Sequence, residues 1–477
     1  MKPLNVISIL IDDMGWKDLS CYGSSFYETP VIDRLAREGM RFSNAYASCP
    51  VCSPSRASLL TGKYPARVGV TDWIGGDTRG KLISADYLHH LPEGEYTLAH
   101  AFKAQGYHTW HVGKWHLGGK EYFPEKFGFD VNIGGNAWGL PIYGYFSPYH
   151  IETLPEGPEG EFLTDRITDE AIRLLENADD KPFYMNLCHY AVHIPIQAPE
   201  HLIEKYRQKA KRMGLPMEEA LEEGEHFPCE HKKDEYVIRR RVQSDPAYAA
   251  LIENLDTNIG RLIDALERLG RLDDTLILFT SDNGGLSTTE SSPTCNAPLS
   301  EGKGWMYEGG VREPLIVWRP GMIPAGETDV VVTTPDIYPT LLELAGFAPI
   351  PQQHVDGMSF APALRGEKHD RGAIYWHYPH YGNQGGTPGS SVLEDGWKLI
   401  HFWEEDVDEL YYLPEDISEV NDIAAAHPDK VKALREKLMV WLDEVGAAIP
   451  QPNPDYQPWE KRGDGRHYED IATAPWQ

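Results

Sequence analysis

Residues 4–11, LNVISILI, form a nearly unbroken apolar run that stops at Asp12-Asp13-Met14-Gly15. A short run without alternation predicts a strand buried on both faces. Residues 276–279, LILF, repeat the pattern and stop at Thr280-Ser281-Asp282-Asn283. Shorter strands are expected at 107–112, 182–187 and 315–318. Helices are expected at 29–38 (Thr29-Pro30 in front, Gly39 behind), from Thr97 to Gly106, at 164–177 and at 336–344. A long helix opens at Asp245-Pro246, and its Ile252, Leu255, Ile259, Leu262, Leu266 and Leu269 recur at three- and four-residue steps, a core-facing stripe. Residues 121–160 are rich in Gly, Pro and aromatics without a period and predict a long ordered loop. Residues 205–243 are charged and mostly helix-forming, a helical surface excursion. From about residue 365, short apolar or alternating pieces at 373–378, 397–403 and 409–413 predict an antiparallel sheet. An amphipathic helix over 428–445 and a Pro-rich tail that wraps the surface follow.

Length and charge narrow the picture. A chain of 477 residues exceeds one small core, and a large α/β domain plus a smaller one is expected, divided at 1–365 and 366–477. The net charge of −29 argues against nucleic acid and anionic membrane as partners. Any anion site must then be a local positive pocket. Six cysteines in so long a chain make no dense disulfide framework. No apolar run reaches membrane-spanning length. The first strand begins almost at Met1, so the chain as written is expected in the cytoplasm, or in the periplasm or outside the cell where a leader has been removed.

Candidate chemistry sits where apolar runs end. Asp12, Asp13, Asp282 and Asn283 follow two similar strands, and ligands gather beyond the carboxyl ends of such strands. An all-oxygen set drawn from several segments suits a hard cation, calcium or magnesium. Cys52 precedes a helix with Pro54 in its first turn and Gly62 at its end, so it meets the positive end of the helix dipole, with Arg56 one turn on. Cys49 and Cys52 also form a C-x-x-C, which leaves a redox pair open at this point. Lys114 and His116 alternate, so in an extended segment a cation and a base share one face.

The string Cys52-Ser53-Pro54-Ser55-Arg56, continued by Leu60-Thr61-Gly62, resembles the signature of the type I sulfatases. GKWHLG at 113–118 resembles that family's second signature. His193 matches its A-P-H-x-P loop with Val192 at the Pro position, and Lys303 with the stretch from Glu308 to Pro314 resembles its G-K…E-G-G-x-R-x-P, with Glu313 at a place usually apolar. The resemblance implies an alkaline-phosphatase-like α/β fold, a mixed sheet sandwiched by helices with a smaller C-terminal α+β domain. It implies that Cys52 is oxidised by a maturase to formylglycine, an aldehyde whose hydrate attacks sulfur beside a calcium ion held by Asp12, Asp13, Asp282, Asn283 and residue 52. It further implies that Lys114, Lys303 and Arg56 neutralise the sulfate, that His193, with Lys303, protonates the leaving alkoxide, and that His116 is the base that releases sulfate. Polar and aromatic residues near the expected site, Asp72, Trp73, Trp138, His377, His380, Asn383 and Gln384, are the candidates for substrate contact. HYPHYGNQGG at 377–386 resembles sulfatases acting on galactose-type sugars, which makes a sulfated carbohydrate, galactose or N-acetylgalactosamine 4- or 6-sulfate, the expected substrate. A phosphomonoester or phosphonate ester hydrolase of the same superfamily and a non-catalytic sulfoglycan-binding protein are the rival readings.

Overall fold

The structure, a computed structural model, describes residues 2–458. Its centre is the expected first strand, Asn5–Ile11, buried along its whole length. Period two decides what each side chain meets. Ile7, Ile9 and Ile11 enter one core with the helices Pro30–Glu38, Leu163–Asn177 and Pro246–Arg268. Val6 and Leu10 enter another with the helices Cys52–Thr61, Leu98–Ala104 and Ile337–Leu344. The sheet is thus covered on both faces, which is why the run does not alternate.

In spatial order the main sheet runs Gly326–Thr328, Met40–Tyr46, Arg312–Trp318, Thr275–Ser281, Asn5–Ile11, Phe183–Cys188, His108–Gly113, Val131–Ile133, with Val332–Thr333 also on Met40–Tyr46. Arg312–Trp318 pairs antiparallel with both its neighbours, whereas the other pairings are parallel. The carboxyl ends of the eight mutually parallel strands therefore open on one edge of the sheet, and five of them lead into residues 12–13, 47–52, 114–116, 189–193 and 282–283. The sheet is mixed, with helices on both faces, as expected.

A second sheet, antiparallel throughout, orders Ile374–Tyr378, Gly389–Glu394, Trp397–Phe402 and Val407–Tyr412, with the helix Pro428–Val445 packed on it through Leu434, Leu438, Trp441 and Leu442. Gln451–Pro452 pairs with Leu82–Ile83, so the start of the tail does wrap back. The tail beyond 458 lies outside the described residues. Among the described residues no helix is long and apolar enough to cross a membrane.

Two expectations need correction, and two strands were not expected at all. The 205–243 excursion is α-helical only at its start, over 205–213. The helix Glu200–Met213 stops at Gly214 in the left-handed region (φ 76°), and Leu221–His226 and Tyr236–Arg240 then form a β-hairpin. Phe227, Cys229 and Val237 pack with Trp305 and Tyr381, and this tertiary burial overrides the helix-forming composition. Met40–Tyr46 and Gly389–Glu394 are strands that composition hides, because the first carries polar residues between its apolar ones and the second opens on Gly-Ser-Ser. Residues 121–160 are mainly irregular but contribute Val131–Ile133 to the sheet edge.

Candidate active site

The helix Cys52–Thr61 has all ten residues buried, with Ala57, Leu59 and Leu60 in the core. Gly62 ends it at φ 68°, and a Cβ there would meet the His354 Cβ at 2.4 Å, so only glycine fits. Cys52 is the first helical residue, yet the dipole does not set its state. Burial pushes the thiol up, and Lys114 and Lys303 offset this only in part. The thiol is neutral, a poor nucleophile. All six cysteines are free, and Cys49 is buried with its carbonyl accepting from Ser55 Oγ.

Beneath Cys52 three buried carboxylates face three cations. Lys114 Nζ lies 2.7 and 2.8 Å from the Asp12 oxygens, Lys303 Nζ 2.8 Å from Asp13 Oδ2, and Arg56 Nε 2.9 Å from Asp282 Oδ2. Burial holds Asp12 well above the usual carboxylate range despite Lys114. Burial pushes Asp13 the same way, but Lys303, His193 and Lys114 outweigh it and hold it well below. The backbone knits the two strand ends together. Asp13, at φ 60°, donates its N–H to Asp282 Oδ1 (3.1 Å), and Met14 N–H donates to Ser281 Oγ (3.0 Å). Asn283 Nδ2 donates to Asp13 Oδ1 at 2.9 Å, which leaves Asn283 Oδ1 buried with no hydrogen-bond partner among the described residues. An orphaned buried carbonyl beside three carboxylates is the donor set of a hard divalent cation, so these residues fit one. Asp12, Asp13 and His193 also bring ligand atoms within 4.8 Å of one another.

The two histidines are held in defined tautomers by their bonds. His116 Nε2 is 3.2 Å from the Ile74 carbonyl oxygen, which can only accept, so Nε2 carries the proton. Nδ1 then presents a lone pair, 3.3 Å from Cys52 Sγ. Burial first, then Lys114, holds His116 well below its ordinary range. His116 does not sit in an extended segment as alternation implies. Its φ is 56°, and this left-handed residue turns the ring onto Cys52 while Lys114 runs to Asp12. His193 Nδ1 donates to the Ile194 carbonyl (2.9 Å), so Nε2 accepts from Lys303 Nζ at 3.0 Å. Burial and Lys303 hold His193 down to about 3. Tyr145 fixes this loop by donating to the carbonyls of Tyr190 and His193 (2.7 and 2.8 Å).

Above this floor lies a cavity of about 290 Å³ lined by Cys52, His116, His193 and Lys303, together with Trp73, Trp138, Asn383 and Gln384. A larger cavity of about 610 Å³ between Arg312, Arg371 and Glu394 contains none of the candidate catalytic or cation-binding residues. The chemistry therefore selects the smaller one. Arg56 and Lys114 do not line the cavity; they lie under it on the carboxylates. Three of the substrate candidates are misplaced by sequence. Asp72 is buried behind Trp73 and accepts from Tyr378 Oη (3.0 Å) and the Trp73 N–H (2.8 Å). His380 is buried against Thr71 Oγ1 (2.9 Å), and His377 is held by Ser390 Oγ and the Ala448 carbonyl. All three side chains are buried and none lines the cavity. Sequence reasoning missed Ile74, Leu140, Ile142, Ile194 and Glu290, which also line the cavity. The first four are isolated apolar residues in loops and Glu290 is an acid in a polar stretch, so none carries a local signal.

The chain is similar to known proteins over most of its length. Residues 4–347 match the sulfatase family, and residues 302–446 match the family described as N-sulphoglucosamine sulphohydrolase, C-terminal. A sulfatase of Formosa agariphila is 31% identical, spanning 98% of this chain and 94% of its own. The N-acetylgalactosamine-6-sulfatase of Sus scrofa is 31% identical over 84% of this chain and 72% of its own. The crystal structure of Ps i-CgsB in complex with k-i-k-neocarrahexaose is 25% identical, covers 99% of this chain and 98% of its own, and superposes with a TM-score of 0.74. The chain belongs to the type I sulfatase family of the alkaline phosphatase superfamily and is a sulfuric ester hydrolase.

Proposed function

We propose that this sulfatase removes sulfate from a galactose-type sugar, with formylglycine formed from Cys52 and calcium held by Asp12, Asp13, Asp282 and Asn283. The observation that carries the reading is residue 52 on the cavity floor, with a lone pair of His116 aimed at it and the acid–base cluster below. When present, the aldehyde hydrate supplies the attacking oxygen and the divalent cation supplies the positive charge beside it. The protein's own groups do the rest. Arg56, Lys114 and Lys303 face Asp282, Asp12 and Asp13, so a divalent cation added there leaves the floor net positive and suited to an anionic ester inside an acidic protein. His116 Nδ1 takes a proton from the group at position 52, and the Ile74 carbonyl keeps its ring in the tautomer that can do so. Lys303, bonded to His193 Nε2, is the proton donor nearest the cavity, so the pair serves the leaving alkoxide together. Trp73 and Trp138 offer apolar faces to a sugar ring, and Asn383 and Gln384 offer polar groups to its edge. On this reading residues 1–365 carry catalysis and 366–477 form the smaller part. The N-acetylgalactosamine-6-sulfatase relative supports the choice of sugar.

The test is mass spectrometry of the peptide containing residue 52, alongside turnover of nitrophenyl sulfate, nitrophenyl phosphate and N-acetylgalactosamine 6-sulfate. We expect an aldehyde or its hydrate, faster sulfate than phosphate release, and no turnover by Cys52→Ala. Full activity with an intact thiol would defeat the proposed chemistry, and faster phosphate release would defeat the proposed substrate class.

A further inference from the structure

The cavity has two unlike walls. Trp73, Ile74, Trp138, Leu140 and Ile142 make one, and Glu290, Asn383 and Gln384 the other. The polar wall rests on an uncommon piece of backbone. Thr289, Glu290, Ser291 and Ser292 are four consecutive non-glycine residues in the left-handed region, with φ of 51, 46, 78 and 39°. Such conformations are disfavoured for L-residues and persist where the surroundings impose them.

Here the hairpin that replaces the expected helical excursion imposes them. Thr289 N–H donates to the Ile238 carbonyl (2.7 Å), Ser292 Oγ donates to the same carbonyl (3.0 Å), and Arg240 binds the Ser292 carbonyl from behind. Thr288 Oγ1 donates to the Gln384 carbonyl (2.8 Å), and the Trp305 indole N–H reaches the same oxygen (3.1 Å). The turn between the hairpin strands grips the other loop, with His231 Nε2 on Asn383 Oδ1 and Lys232 Nζ on the Asn383 carbonyl, each at 2.8 Å. Gln384 Nε2 finally donates to Glu290 Oε2 at 2.8 Å, which aims the carboxylate while leaving lone pairs for other donors.

We propose that Glu290 is a specificity-determining residue that accepts hydrogen bonds from hydroxyl or amide donors on the sulfated ring and rejects rings bearing a second anionic group. The inference rests on the sulfatase reading of this same cavity and deepens it by naming the substrate class: an otherwise neutral sulfated pyranose. A carboxylate is acceptor-only, so it rewards a donor and repels a sulfate or uronate in the same place. Glu290 and Lys303 line the same cavity, which places the selection in the pocket that holds the reacting ester. The hairpin thereby gains a purpose, because it holds both loops that build the selecting wall.

The experiment compares the matured wild-type enzyme with Glu290→Gln and Glu290→Ala. Each is assayed on N-acetylgalactosamine 6-sulfate, on the disulfated sugar, and on nitrophenyl sulfate, whose flat ring offers no hydroxyl donors. We expect both variants to lose roughly ten- to a hundredfold in kcat/KM on the monosulfated sugar, the range for a lost charge-assisted hydrogen bond. Nitrophenyl sulfate should change by less than about threefold, the usual effect of a polar contact that the substrate does not use. The ratio of disulfated to monosulfated turnover should rise most in Glu290→Gln. An equal loss on the aryl and sugar esters would overturn the proposal, since it would mark a general structural role. An unmoved ratio with an active wild type would overturn it too, leaving the sulfatase reading intact. A matured wild type that hydrolyses neither sulfate ester would overturn both.

Discussion

Asp72 offers a test of how this protein supports its active-site loop. The carboxylate is fully buried, accepts from Tyr378 Oη and the Trp73 N–H, and lies 3.7 Å from His380 Nδ1, which has no hydrogen-bond partner among the described residues. Burial pushes Asp72 up to about 8, against a few bonds that favour the anion. The unfolded chain titrates near 3.9. The folded state therefore holds a proton that the unfolded state has lost, and stability falls as pH rises from about 4 to about 8. Four units at about 1.36 kcal/mol each bound the penalty at roughly 5 kcal/mol, and local relaxation brings the expected value to about 2–5 kcal/mol. Asp72→Asn keeps an oxygen for Tyr378 and Trp73, gains an amide donor toward His380, and does not titrate. At about 2.1 cal/mol/K per residue, 477 residues unfold with an entropy near 1 kcal/mol/K, so the variant should melt roughly 2–5 °C higher above pH 8 and equal wild type near pH 4. Differential scanning calorimetry at matched scan rates from pH 4 to 9 measures this. Parallel curves, or a variant that melts lower at pH 8, would refute the reasoning.

Three other outcomes follow from the site. Asn283→Ala removes the orphaned oxygen and should weaken calcium binding at least about tenfold by titration calorimetry, while circular dichroism stays unchanged; equal affinity would remove Asn283 from the cation site. His116→Ala should keep the first turnover of nitrophenyl sulfate and lower steady-state kcat by about 10²–10⁴-fold, and undiminished multiple turnover would place the base elsewhere. Tyr145→Phe deletes two bonds to the His193 loop and should cost about 1–3 kcal/mol in chemical denaturation and lower kcat; wild-type values for both would mean the loop is held without it.

The parts of the fold that sequence revealed are those where one force dominates. Residues 4–11 and 276–279 are buried on both faces, so their apolar runs speak plainly, and the Asp and Asn residues after them fall at strand ends. Met40–Tyr46 stayed hidden because its solvent-leaning positions are polar, although its two neighbours bind it securely. At the site, the motif residues were legible and their bonds were not. That His116 reaches Cys52 depends on one left-handed residue, and that Arg56 lies on Asp282 depends on a contact across 226 positions. His377 and His380 looked available because polarity does not say whether a side chain faces the cavity or the interior. Glu290 was invisible because its placement comes from the hairpin, not from its own neighbours.

The helix that begins at Cys52 has a consequence for the order of events in the life of the chain. Every one of its residues is enclosed, and the last members of the enclosure come late, with Lys303 meeting Asp13 across 290 positions and Gln384 later still. Position 52 is therefore synthesised long before the segments that shut it in. On the proposed chemistry, an enzyme that alters this side chain would meet an open peptide during that interval and only the floor of a narrow cavity afterwards. Slower closure would widen the interval, so a variant that folds faster without gaining stability would carry less of the altered residue.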